Sequence, residues 1–312
     1  TTIFLFWGAL IRATREWGGT SAQGIAFGLL EGGRGVTAAV VASLLVLVLA
    51  SFLPSDANLA TDAERRAGMQ AVILGYAAIT LVVGLLTLFL VPPPRDHEKR
   101  PANPFPNMML VIRQPIIWTQ AAIIVCAYCT YKGADYYSLY LVQVMGMDEV
   151  EAAGLASLSA YIRPMGAIAA GLIADRFNAT KSIGVAFGIL AVTYLALSIL
   201  LPESNGHFII YANLGVGLFA VFALRGIYFA LLQETRTPRH ITGAAVGLIS
   251  VVGYTPEIFF APIAGRILDA APGAEGFQNL FTLLAGIMVV GIGIVLLLVR
   301  LKRNNSAGQP VS

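Results

Sequence analysis

A lysine and an aspartate stand three residues apart in YKGADYYSLYL, residues 131–141, inside a stretch otherwise apolar from Ile116 to Met145. At that spacing Lys132 and Asp135 share one helical face and partly neutralise each other, with Tyr131, Tyr136, Tyr137 and Tyr140 adding hydroxyls nearby. Five more ionisable residues have apolar surroundings: Glu31, Arg34, Arg163, Arg225 and Glu257. Each costs about 2.5–3.5 kcal/mol at the centre of a membrane helix, so each must face a protein interior or a water-filled cavity. The chemistry on offer is ion binding and proton transfer. Arg34, Lys132, Arg163 and Arg225 outnumber Glu31, Asp135 and Glu257, and arginine's planar fork suits carboxylate or phosphate oxygens. The four bases are therefore candidate ligands for an organic anion, gripped between Arg34 and Lys132, with Tyr136 and Tyr137 hydrogen-bonding its hydroxyls. The three carboxylates are the candidate proton carriers, Glu257 foremost because it follows Pro256 and has no basic neighbour within four residues. The plainer alternatives are a helix-stabilising Lys132–Asp135 pair at a packed interface and a simple Glu31–Arg34 pair.

The elements that must hold these residues are membrane helices. Hydrophobic residues make up 57% of the 312 and charged ones 12%, against roughly a quarter charged in a soluble globular chain. Apolar stretches of the length that a hydrocarbon core demands lie near 32–53, 68–91, 115–145, 148–174, 182–202, 208–231, 241–268 and 277–300, with 1–13 as a partial span. The fold class is all-α, a polytopic membrane helix bundle. The connectors are short except 91–114, whose prolines and charges mark a loop between two bundles, with PNMMLVIRQ at 106–114 suited to lie on the membrane surface. No connector is long enough for an aqueous domain. Cys126 and Cys129, spaced C-x-x-C, lack a second pair for zinc and read as small packing residues. His97, His207 and His240 sit in or beside connectors, and no catalytic set or nucleotide loop is visible. Neither an enzyme, a bound cofactor nor a nucleic-acid partner is expected.

Arginine and lysine orient the chain. Arg12 and Arg15, then Arg95, Lys99, Arg100 and Arg113, then Arg176 and Lys181, then Arg236 and Arg239, and finally Lys302 and Arg303 fall in every second connector and the tail. The positive-inside rule makes these cytoplasmic, and the C-terminus with them; Arg65 and Arg66 are the exception, diluted by Asp56, Asp62 and Glu64. QGIAFGLL at 23–30 matches TGAAVGLI at 242–249, each entering a long helix after a basic connector, which points to an internal repeat. The repeat offset puts Thr1 in mid-helix, so the chain is expected to lack the opening helices of its first half. The stretches 68–91, 182–202 and 277–300 carry no charge apart from Arg300 at the very end of the last, and are expected to face lipid all round while the helices between them enclose a polar cavity.

GLIADRFNATK at 171–181 resembles the loop signature of the major facilitator superfamily, G-x-x-x-D-R followed by a basic residue, here Gly171, Asp175, Arg176 and Lys181. Asn178 departs from the glycine the fuller motif often has. The resemblance implies two six-helix halves, here from the end of helix 4 through helix 12: 1–91 as a remnant of the first half, 92–114 as a cytoplasmic central loop and 115–312 as the second half. It implies a monomeric secondary transporter, multi-pass in the cell (inner) membrane, working by alternating access on a small-molecule substrate with a proton or counter-anion. It also implies a cytoplasmic gate, in which Asp175 accepts backbone N–H groups at the start of the helix entering near 241 and Arg176 pairs with acidic groups or carbonyls across the seam. IRATREWGGTSAQGIAFGLLEGGRG at 11–35 is distantly similar to the organophosphate–phosphate antiporters, which would place Arg34, and Lys132 with Asp135 and Tyr140, near the substrate. Gly28, Gly32, Gly33 and Gly35 read as allowing close helix contact. A carrier of neutral sugars or drug-like solutes, and a transport-inactive sensor with the same fold, remain as alternatives.

Overall fold

The structure, a computed structural model, describes residues 7–52, 61–90, 105–147, 149–200, 206–235, 237–238 and 241–307. Arg95, Lys99, Arg100, Arg236, Arg239, His97 and His240 lie outside these, with most of the 91–114 loop. The order is α1 Gly8–Gly18, α2 Gln23–Ala50, α3 Asp62–Leu90, α4 Phe105–Ile112, α5 Pro115–Ala134, α6 Tyr137–Gln143, α7 Glu149–Phe177, α8 Ala179–Ile199 and α9 His207–Ile227. A 3₁₀ turn at Tyr228–Ala230 then leads to α10 Leu231–Glu234, α11 Thr242–Gly253, α12 Pro256–Ala270 and α13 Ala274–Ala307. Among the described residues there is no strand, and six helices or helix pairs are long and apolar enough to cross a membrane. Two boundaries differ from expectation. The second helix begins at Gln23 rather than near 32, and α1 continues through Arg12 and Arg15, which are helical and not connector residues.

The chain forms two compact units, Thr1–Gly33 with Arg100–Ser312, and Arg34–Lys99. In the smaller unit the later turns of α2 meet α3 through small residues: Gly68 lies against Leu49 and Phe52, and Gly75 against Leu45. Lipid tails are as apolar as leucine, so close backbone approach rather than water exclusion drives such contacts. Beyond its charged start at Asp62, Glu64, Arg65 and Arg66, α3 carries no charge and most of it is exposed, as a lipid-facing helix requires.

In the larger unit, α13 presents Phe277, Leu280, Phe281, Leu284 and Met288, all fully buried, at the three- and four-residue spacing of one helical face. The α8 face of Ile183, Phe187, Leu190 and Tyr194 is buried likewise, and the Tyr194 and Phe281 rings stack at 6.2 Å. The expectation that charge-free helices face lipid all round thus holds for neither α8 nor α13. Each keeps a lipid-facing side, such as Val185 and Val192 on α8, but a peripheral helix still needs one face to fasten it to the bundle. Cys126 and Cys129 are buried packing residues of the same core.

A ladder of small residues brings α2 against α7. A Cβ on Gly24 would run into the Gly171 carbonyl oxygen, one on Gly28 would come within 2.6 Å of the Ala167 carbonyl oxygen, and one on Gly32 within 3.4 Å of the Pro164 backbone. Steps of four residues on α2 and of four and three on α7 run along one face of each helix, antiparallel, and beside them Glu31 meets Arg163. Gly28 and Gly32 therefore act as expected, whereas nothing lies near Gly33.

The ionisable residues gather where helices break. Lys132 and Asp135 flank the α5–α6 break, Arg225 precedes the 3₁₀ turn, and Glu257 follows Pro256 at the α11–α12 break. Arg163 immediately precedes Pro164 inside α7. Proline removes a backbone donor, and each discontinuity frees backbone groups that a polar site can absorb.

Candidate functional site

Two charge triads stand in the larger unit. In the first, Glu31 Oε1 accepts hydrogen bonds from Arg163 Nη2 at 2.7 Å and from Arg225 Nε at 2.9 Å. The Glu31 side chain is 6% exposed, Arg225 9% and Arg163 18%, so all three charges are desolvated together. In the second, Lys132 Nζ lies 2.7 Å from Asp135 Oδ2 and 3.5 Å from Glu257 Oε1, and Tyr128 Oη donates to Glu257 Oε2 at 2.9 Å. Two arginines on one glutamate give the first triad an excess positive charge; two carboxylates on one lysine give the second an excess negative charge. Tyr131 separates them, its ring centroid 3.9 Å from Arg225 Cζ and 6.0 Å from Lys132 Nζ. A cation over a ring face is attracted by the ring quadrupole, so Tyr131 serves both sides.

A cavity of about 380 Å³ opens beside the triads, bounded by α5–α6, α7 and α9. Its polar wall is Tyr131, Asp135, Tyr137, Ser138, Arg163 and Tyr211. Arg163 Nε and Arg225 Nη1 are buried without a hydrogen-bond partner among the described residues, as is Tyr137 Oη. An unsatisfied buried donor costs about 1–3 kcal/mol, and an acceptor placed here would recover it.

The residues singled out by sequence divide accordingly. Glu31, Arg163 and Arg225 are brought together, as are Lys132, Asp135 and Glu257. Lys132, expected to grip an anion, is held between two carboxylates. Glu257, without a basic neighbour in sequence, has Lys132 as one in space. Arg34 is exposed and opens the smaller unit. Tyr137 is buried at the cavity, where Gly217 leaves room for its hydroxyl, whereas Tyr136 packs near Phe260 and is not part of the cavity wall.

At the α7–α8 turn, Asp175 Oδ1 accepts from Gly24 N at 2.6 Å and Oδ2 from Ile25 N at 2.8 Å. The expected contact was with the helix entering near 241; the carboxylate instead caps the start of α2, the first copy of the repeat. The carboxylate of α7 thus fastens α7 to the start of α2, a helix 150 residues away in the chain. Gly171 permits the approach, being part of the ladder against Gly24. Arg176 is exposed, its guanidinium 5.7 Å from the Phe177 ring centroid, and Lys181 is exposed. Asn178 has φ 90° and its side chain accepts from Lys181 N at 2.8 Å, which explains why the position suits glycine and how asparagine stands in for it.

Two groups escaped the sequence reading. Arg15, counted as connector charge, is 4% exposed. It donates to Thr242 Oγ1 at 2.5 Å, Thr237 O at 2.6 Å, and Leu232 O and Gln233 Oε1 at 3.2 Å, tying α1 to the chain between α10 and α11. Its spacing from Ile11, four residues earlier on the buried face of α1, was the available signal. Glu234 accepts from Ala179 N and Thr180 Oγ1 at the start of α8 and pairs with Lys302 Nζ at 2.9 Å.

The Major Facilitator Superfamily description matches residues 3–258. The chain is 29% identical over 308 residues to the inner membrane protein YqcE of Escherichia coli, covering 95% of this chain and 69% of that protein. It is 27% identical over 307 residues to the inner membrane protein YihN of the same organism, covering 94% and 70%. To the probable nitrate/nitrite antiporter NarK1 of Thermus thermophilus it is 25% identical over 271 residues, covering 79% and 58%. Among solved structures, the fucose:proton symporter FucP of Escherichia coli superposes with a TM-score of 0.70 over 92% of this chain and 72% of that one, at 16% identity, a likeness of fold.

Proposed function

This chain belongs to the major facilitator superfamily, a family of multi-pass membrane carriers, and from that premise we propose that it is a secondary active transporter of a small organic anion. The observation that carries the reading is the convergence of Arg163 and Arg225 on Glu31 beside a cavity, each arginine with a buried N–H left unsatisfied. A substrate carboxylate or phosphate arriving through the cavity meets the same guanidinium groups that hold Glu31. Glu31 keeps the substrate's place in the empty carrier. Displaced from the two arginines, its carboxylate loses their charge in a desolvated site and is the group on which a proton can ride, which couples anion and proton movement. Tyr137, Ser138 and Tyr211 offer hydroxyls for a hydroxylated substrate such as a sugar acid. Lys132, Asp135 and Glu257 form a second ionisable cluster through which charge balance is kept during exchange.

Alternating access then works by breaking Asp175 from α2 and Arg15 from the α10–α11 connection, contacts that close one end of the carrier. We place that end in the cytoplasm with the C-terminus, by the distribution of basic residues, and the monomer in the inner membrane, where its relatives YqcE and YihN reside. The test is flux in proteoliposomes with a panel of anionic, neutral and cationic solutes. The expected result is uptake of a carboxylate- or phosphate-bearing solute, lost in Arg163→Ala and Arg225→Ala. In Glu31→Gln, substrate should bind more tightly while proton dependence disappears. Transport of neutral or cationic solutes alone, or anion transport unaffected by either arginine substitution, overturns the reading.

A further inference from the structure

A groove of about 360 Å³ runs along the side of the larger unit between α7, α8 and α9. Its floor is built from Ala170, Ala186, Ala220 and Ala223, all buried, and its walls include Phe177, Val185 and Val216, each more than half exposed. Small residues set back between large ones make a channel in what would otherwise be a flat lipid-facing surface. Along α8 it extends from Lys181 to Ile189, about 12 Å at 1.5 Å rise per residue, most of one leaflet of a ~30 Å hydrocarbon core. The walls are apolar except at one end.

That end is basic. Lys181 borders the groove, and the Arg176 guanidinium lies 5.7 Å from the ring centroid of the wall residue Phe177. The nearby carboxylates are engaged elsewhere: Asp175 by the backbone of α2, and Glu234 by the start of α8 and Lys302. Among the described residues no carboxylate lies within ion-pair distance of Lys181 or Arg176. An uncompensated cation at the head of an apolar channel of acyl-chain length, with a second beside the wall residue Phe177, complements one kind of molecule in a bilayer. We infer that the groove is a binding site for an anionic phospholipid, its acyl chain on the alanine floor and its headgroup phosphate between Lys181 and Arg176.

A protein partner seated on the same face would not depend on headgroup charge. The experiment is native mass spectrometry of the purified full chain, exposed in detergent to equal amounts of phosphatidylglycerol and phosphatidylcholine with identical acyl chains. Wild type should retain phosphatidylglycerol preferentially. A basic side chain near a membrane surface favours an anionic lipid by about fivefold, so Lys181→Gln and Arg176→Gln should each lower the preference by about that factor. Both side chains are exposed, so the substitutions should leave the fold intact, which thermal unfolding in detergent checks. Ala186→Phe and Ala220→Phe, which fill the floor, should reduce retention of both lipids. Equal retention of the two lipids by wild type, or a preference unchanged in the Lys181→Gln, Arg176→Gln double variant, overturns the assignment.

Discussion

Both carboxylate oxygens of Asp175 are committed to backbone N–H groups at the first turn of α2, where the helix dipole favours negative charge. In Asp175→Asn one oxygen remains to accept, and the charge is gone. The change should weaken the closed arrangement by about 1 kcal/mol, roughly a fivefold shift towards opening at that end. Labelling of cysteines introduced at the α7–α8 end should rise correspondingly, and unchanged labelling with unchanged flux would contradict the role. Three residues on, Asn178 combines a strained φ of 90° with a cap on α8. Asn178→Gly exchanges a cap worth a few tenths of a kcal/mol over glycine for relief of backbone strain, and should leave thermal stability equal or higher. Asn178→Ala loses the cap and keeps the strain, and should cost about 1 kcal/mol or more in the same unfolding measurement.

At the scale of elements, the first triad depends on how closely α2 approaches α7. Gly24, Gly28 and Gly171 contribute no chemistry, yet they set the distance at which Glu31 reaches Arg163. If the proposed function holds, Gly28→Leu should therefore abolish anion binding while leaving every charged residue in place. Overpacking a tight contact costs about 1–3 kcal/mol, so the variant should still fold, with a lowered unfolding temperature in detergent. Normal binding in a folded Gly28→Leu protein would separate the ladder from the site. The start of α8 makes a similar point: Glu234 joins α10, α8 and Lys302 of α13. Glu234→Gln keeps an acceptor but loses the ion pair, and should lower stability by about 1 kcal/mol without changing substrate selectivity.

For the whole molecule, the proposed alternating access makes closure at the α7–α8 end rest on two contacts of opposite chemistry. Asp175 reaches from α7 to α2, and Arg15 reaches from α1 to the chain between α10 and α11. Each involves one of the two similar octamers, at Gly24 and at Thr242. Arg15→Gln leaves several backbone and hydroxyl acceptors without their charged donor, and should shift the balance towards opening by more than Asp175→Asn does. Because the two contacts share no residue, the double variant should show the sum of the two shifts in cysteine accessibility within about 0.5 kcal/mol. A strongly non-additive result would mean that they act as one lock.

Composition and apolar run length alone determined that the chain is a membrane helix bundle, because a bilayer demands continuous apolar helices and penalises each stray charge. The G-x-x-x-D-R stretch and the repeated octamer placed it in its family for the same kind of reason, being local patterns. Local sequence also picked out the ionisable residues that gather beside the cavity, since Glu31, Lys132, Asp135, Arg163, Arg225 and Glu257 stand out against apolar neighbours. Their partners were not legible. Glu31 lies 132 residues from Arg163 and 194 from Arg225, and Lys132 and Glu257 sit on different helices, so counting charges along the chain suggested an excess of bases that pairing in space redistributes into two triads. Helix ends deceived for a related reason: Arg15 resembles any basic residue beside a connector until α10 and α11 surround it with acceptors. Which face of a helix is buried, which start Asp175 caps and which charge answers which are decided by contacts between distant segments, and those exist only once the helices have packed.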